Sequence, residues 1–172
     1  LGHPPTICLP SNASSERKTI LKNLGAKLIL TSPLEGTDGA QQAARELYEA
    51  SPQQYYYADQ YSNEANWKAH YHTTAPEIWN QTQGRITHFV AGLGTTGTFT
   101  GTAKRLKELG KVQCIALQPD HPLHPLEGWK HLETARVPSI FDPSYVDEYM
   151  AVESDAILDM IRFIAEHEHL QI

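Results

Sequence analysis

Apolar residues fall along this chain in short runs alternating with helical stripes. Thr6-Ile7-Cys8-Leu9, closed by Pro10, predicts a buried strand. Ser14 or Ser15 caps a helix through Leu24, with Ile20, Leu21 and Leu24 as its apolar stripe and Gly25 as its stop. Lys27 to Thr31 predicts a second strand. Thr37 or Asp38 starts a helix over Gln41 to Ala50, which Ser51-Pro52 ends. Tyr55-Tyr56-Tyr57 predicts a third strand. Asn63 opens a helix carrying Trp67, His70 and Tyr71, and Pro76 sets Glu77 to Gln81 apart as a separate helical turn. Ile86 to Ala91 predicts a strand, Thr98 to Leu109 a helix stopped by Gly110, and Val112 to Leu117 another strand. Residues 119–143 are rich in Pro, Gly and His and predict an ordered loop with short helical pieces. Val146 to Val152 alternates as a strand. Glu153 to Glu168 predicts a helix with Ile157, Met160, Ile161 and Ile164 on one face.

Strands separated by amphipathic helices imply an α/β fold, with parallel sheets covered by helices on both faces. Right-handed crossovers make it doubly wound. Composition does not disturb that picture. Of 172 residues, 40% are hydrophobic and 20% charged, which excludes disorder, collagen and coiled coil. No apolar run reaches the roughly 20 residues of a membrane span. The net charge of -6, without a basic block, argues against nucleic acid and anionic membranes as partners. Cys8 and Cys114 each sit in an apolar run and read as reduced core residues of a cytoplasmic protein. Leu1-Gly2-His3-Pro4 resembles the end of a helix, and His169-Leu170-Gln171-Ile172 the start of a strand. Both ends suggest a piece of a longer chain.

The chemistry concentrates where a strand runs into a helix. Gly92-Leu93-Gly94-Thr95-Thr96-Gly97-Thr98 holds three glycines and three threonines in seven residues. Glycines let the backbone turn tightly and present its N–H groups. The helix start adds orphan donors and the positive dipole end. Threonine hydroxyls add donors, so the loop suits a phosphate. Gly92, Gly94 and Gly97 also satisfy the spacing of a dinucleotide loop, and Asp120 follows at about the distance of a ribose-binding acid. An NAD(P)-binding Rossmann module is therefore an alternative. Against it, Asp120 lies between prolines, and the threonines favour one terminal phosphate over a pyrophosphate.

Gly94-Thr95-Thr96-Gly97-Thr98 resembles the cofactor-phosphate loop of the cysteine synthase and cystathionine β-synthase family, pyridoxal-phosphate fold type II, in its cysteine synthase B version. Further stretches carry the same resemblance. They are Pro10 to Lys18 with Leu24-Gly25-Ala26, Gln60 to Asn63, Thr73 to Trp79, and Leu126-Glu127-Gly128 with Ile140-Phe141-Asp142. Nearly the whole chain is covered. The resemblance implies a tryptophan synthase β-like fold, incomplete at both ends. Residues 1–58 would be the remainder of the small N-terminal lobe, and 59–172 most of the large lobe that binds pyridoxal 5'-phosphate. Gly94, Thr95, Thr96, Gly97 and Thr98 would hold the cofactor phosphate, Gln60 would meet the substrate carboxylate, and Gly128 would line the pocket.

The implied reaction is β-replacement on O-acetylserine or O-phosphoserine by sulfide, giving L-cysteine. The near alternative is condensation of serine with homocysteine. The partners implied are a small amino-acid substrate, sulfide and, for the whole enzyme, a second copy of itself. One requirement is missing. The family's Schiff-base lysine precedes the matched region, and none of the eight lysines here stands in its context. The chain alone is then expected to be inactive, with no catalytic residue of its own, and a non-catalytic phosphate-binding remnant is a further alternative. The nine histidines lack the spacing of a metal site. Trp67, Trp79 and Trp129 read as packing residues, with Trp129 placed beside the pocket by Gly128.

Overall fold

A computed structural model describes residues 3–170, and the chain divides into two compact units between Ala58 and Asp59. The first unit begins with strand β1 (Thr6–Pro10), helix α1 (Ser15–Asn23) and strand β2 (Lys27–Thr31). Parallel strands need a long crossover, and α1 supplies it. Ile7 pairs with Leu28 and Cys8 with Ile29. The Ser14 side chain accepts from the Arg17 N–H at 3.4 Å to start α1, and Gly25, with φ of 83°, follows its end. Helix α2 (Gly36–Ala50) packs on both strands, and Leu9, Ala40 and Gln41 are buried there.

Two expectations fail in this unit. Ile20 and Leu24 are 59% and 75% exposed, so the stripe predicted for α1 is not a buried face. Residues 55–57 form no strand. Aromatic β-propensity is context-dependent, and here Tyr57 instead stacks on Tyr48 of α2, with ring centroids 6.0 Å apart.

The second unit holds helices α3 (Ala65–His72) and α4 (Thr74–Gln81), strand β3 (His88–Gly92), helix α5 (Gly97–Leu109) and strand β4 (Gln113–Pro119). A 3₁₀ turn (Pro143–Tyr145), strand β5 (Glu148–Val152) and helix α6 (Ser154–His167) follow. The sheet runs β3-β4-β5, all parallel. Helix α5 is the β3-to-β4 crossover and buries Phe99, Ala103 and Leu106 against Phe89, Cys114 and Ala116. Each large side chain so buried contributes about 1.5–3 kcal/mol. Helices α3 and α4 lie on α5. Residues 120–142 run as turns and bends, so the expected helical piece is the 3₁₀ turn just beyond them.

In α6, Ile157, Ile161 and Ile164 are half-buried but Met160 is 54% exposed and leaves the predicted stripe. His169 has φ of 55° and is not extended. The expectations for Leu1-Gly2 and for Gln171-Ile172 lie outside the described residues. No helix among the described residues is long and apolar enough to cross a membrane. Cys114 is buried, and burial pushes its thiol up to about 11, so it stays protonated. Cys8 is half-buried, and burial raises its thiol as well.

One charged group ties helix to sheet. Asp147 accepts from Lys107 Nζ at 2.6 Å and from the Cys114 N–H at 2.7 Å. The Lys107 hydrogen bond, then the Cys114 bond, holds its carboxyl below the usual carboxylate range. A carboxyl depressed in the folded state stabilises fully above its unfolded value. That contribution disappears as pH falls through the folded value. Asp147→Asn is therefore expected to lower stability at neutral pH and to flatten the acid limb below about pH 4. Urea midpoints from about pH 7 to about pH 3 check this, and an acid limb unchanged by the substitution would refute it.

Candidate phosphate and cofactor site

The end of β3, the start of α5 and two other segments meet at the glycine–threonine loop. Leu93 is fully buried, and its N–H donates to the Leu117 carbonyl at 2.9 Å, which holds the loop at the C-terminal edge of the sheet. In parallel sheets this edge is where ligands bind. Thr96 caps α5 with φ of 68° and ψ of -5°. A β-branched residue in this left-handed region stores about 1–3 kcal/mol of strain. Its Oγ1 is buried and has no hydrogen-bond partner. The Thr95 hydroxyl accepts from the Gly97 N–H at 3.4 Å. Thr98 is exposed, and its hydroxyl lies 3.2 Å from His70 Nε2.

Gly97 has no room for a side chain, because a β-carbon there would overlap the Asn66 amide. The same Asn66 donates from Nδ2 to the Gln60 carbonyl at 2.7 Å. One side chain thus holds the Gln60 segment beside the loop. Gly94 is closed off by the carbonyl of Gly128, whose φ of 87° suits glycine. The Lys130 N–H donates to the Leu93 carbonyl at 2.7 Å. The Trp129 indole covers Gly92, where a β-carbon would lie 2.5 Å from Cζ2. Gln60 is therefore tied to the loop through Asn66, and Gly128 lies directly against Gly94.

Sequence reasoning missed three residues here. Asn66 and His70 sit on α3, where polar residues read as solvated. Lys130 is 3% exposed, with its Nζ 5.3 Å above the Tyr61 ring. Its burial had no signal in a proline-rich loop. The remaining candidates have local roles. His121 and His124 accept from the N–H of Leu123 and Leu126 and close turns. Burial, then His131, lowers the His124 pKa. Trp79 packs against Gly84 and Gly110. Among the described residues no group of three His, Cys, Asp or Glu could hold a metal. A cavity of about 420 Å3 flanks α5 between Trp67, Thr100, Lys104 and Tyr145.

The cup fits a phosphate ester. The helix start supplies N–H groups with a positive end. Gly94 and Gly97 let the loop backbone pack against Gly128 and Asn66 with no side chain between them.

The profile of the family described as pyridoxal-phosphate dependent enzyme matches residues 1–172. The cysteine synthase of Aquifex aeolicus is 51% identical over 169 residues, covering 98% of this chain and 52% of that protein. Cysteine synthase B of Pseudomonas aeruginosa is 39% identical over 168 residues, covering 97% and 55%. The crystal structure of cysteine synthase from Entamoeba histolytica superposes with a TM-score of 0.85 at 31% identity, covering 98% of this chain and 52% of that one. The chain spans about half the length of the curated relatives it matches.

Proposed function

The chain belongs to the family of pyridoxal-phosphate dependent enzymes, and from that premise we propose that it supplies the cofactor-phosphate cup and a pocket wall of a cysteine synthase. The reaction of the whole enzyme is β-replacement on O-acetylserine or O-phosphoserine by sulfide, giving L-cysteine. The single observation that carries this reading is the cup itself. Gly94 and Gly97 admit no β-carbon, so the loop backbone lies directly against Gly128 and Asn66, and α5 starts there with its N–H groups at the C-terminal edge of the sheet. The cofactor, when bound, supplies the electron sink.

What this chain adds is binding and orientation. Residues 94–98 hold the phosphate. Gln60, kept in place by Asn66, meets the substrate carboxylate. Gly128 lines the pocket and, with Trp129 and Lys130, screens it from water. The small N-terminal lobe corresponds to residues 1–58 and the phosphate-binding lobe to 59–172. The whole enzyme pairs as a homodimer.

Equilibrium dialysis of the 172-residue chain tests the cup. Pyridoxal 5'-phosphate is expected to bind at least tenfold more tightly than pyridoxal, a difference of about 1.4 kcal/mol for the phosphate. Equal affinity for the two, or preferential binding of NAD, would reverse the reading. The same chain is expected to form no cysteine from O-acetylserine and sulfide. Borohydride is expected to leave no stoichiometric cofactor–lysine peptide. Such a peptide on Lys130, or on any other lysine, would show that the chain carries its own catalytic amine.

A further inference from the structure

His70 joins three helices through its two ring nitrogens. It lies in the last turn of α3. Its Nδ1 is 2.9 Å from the hydroxyl of Thr74, the first residue of α4. Its Nε2 is 3.2 Å from the hydroxyl of Thr98, in the first turn of α5 and in the cup. The ring is half-buried, and Gly101 leaves room for it, since a β-carbon there would lie 3.0 Å from His70 Cβ.

A neutral imidazole has one N–H and one lone pair, and a hydroxyl has one proton to give. Only two arrangements satisfy both contacts. In one, Nδ1–H donates to Thr74 and Thr98 donates to Nε2. The Thr98 hydroxyl has then spent its proton and offers the cup only lone pairs, which repel a phosphate. In the other, Thr74 donates to Nδ1 and Nε2–H donates to Thr98. The Thr98 proton is then left for an anion, and its oxygen is polarised by the bond it accepts.

We infer that His70 is a positioning residue of the phosphate cup, and that a bound phosphate ester selects its Nε2–H form through Thr98. The inference rests on the reading of residues 94–98 as a phosphate site and adds a control element outside that loop. Thr74 and His70 touch no ligand. They set which way the Thr98 hydroxyl points. The consequence is reciprocal: an anion in the cup biases the tautomer, and the tautomer biases anion affinity.

The test uses the 172-residue chain with inorganic phosphate and with pyridoxal 5'-phosphate as probes. Imidazole ¹⁵N spectra at about pH 8, above the ordinary histidine range, report which His70 nitrogen carries the proton. Saturating either probe is expected to drive His70 to the Nε2–H form. His70→Phe keeps the ring but removes the donor and is expected to weaken both probes about fivefold to tenfold, the effect of one lost hydrogen bond. His70→Gln places an N–H near Nε2 and is expected to restore affinity to within about threefold of wild type.

A bound state with the proton on Nδ1 overturns the inference. So does equal binding by the wild type and both variants. The spectra need no variant, so a His70→Phe chain that fails to fold still leaves the inference exposed to refutation. Failure of the wild-type chain to bind either probe removes the phosphate site and this inference together. Binding without a tautomer change removes the inference alone.

Discussion

Gly101→Ala lowers the thermal midpoint of residues 59–172 by about 10 °C. Gly101 is in the middle of α5, where α3 crosses it, and a β-carbon there would overlap the Trp67 carbonyl oxygen. The obstacle is backbone, so no rotamer change can relieve it. Either α3 shifts away from α5 or α5 bends. Alanine gains about 1 kcal/mol of helix propensity over glycine. Overpacking a tight contact costs about 1–3 kcal/mol and sometimes more. A backbone obstacle places the cost at or beyond the upper end, for a net loss of about 2–3 kcal/mol, or about 10 °C in a domain of this size. Calorimetry reads it directly. A midpoint equal to or above wild type would show that the α3–α5 contact is looser than the structure has it.

Gly94→Ala is expected to act on binding as well as on folding. A β-carbon at Gly94 would overlap the Gly128 carbonyl oxygen. That carbonyl cannot retreat freely, because Lys130, two residues on, is bonded to the Leu93 carbonyl at 2.7 Å. The substitution must therefore part the glycine–threonine loop from residues 128–130. Affinity for pyridoxal 5'-phosphate is expected to fall by at least tenfold, about 1.4 kcal/mol. The midpoint is expected to fall as well, by the few degrees that about 1–3 kcal/mol of overpacking produces. Dialysis and calorimetry on the same preparation separate the two effects. Unchanged affinity would mean that residues 128–130 form no wall of the cup.

The local elements of this fold are legible because each is specified within a few residues. Strands β1 to β4 coincide with short apolar runs, β5 with the alternation from Val146 to Val152, and α2 and α5 with stripes closed by Ser51 and Gly110. The break between α3 and α4 follows from Pro76. The glycine–threonine loop is legible for the same reason, since its chemistry is contiguous from Gly92 to Thr98. Elsewhere the pattern misleads. Tyr55 to Tyr57 has strand propensity but no strand forms there. Ile20, Leu24 and Met160 sit at stripe positions and are exposed. Apolar spacing states which face could be buried, not whether anything covers it.

The amino-acid sequence by itself determined the order of strands and helices, the parallel α/β class and the place of the glycine–threonine loop between β3 and α5. These rest on periodicity, capping and glycine content, which act over one or two turns of chain. Only the tertiary structure decided what surrounds that loop. Asn66 bridges Gly97 and the Gln60 carbonyl, His70 reaches Thr98 from 28 residues away, and Lys130 is buried beside Leu93. Such contacts depend on how closely α3 and the 128–130 turn approach α5. That distance is set by small residues at Gly94, Gly97 and Gly101, whose role appears only once the elements are packed.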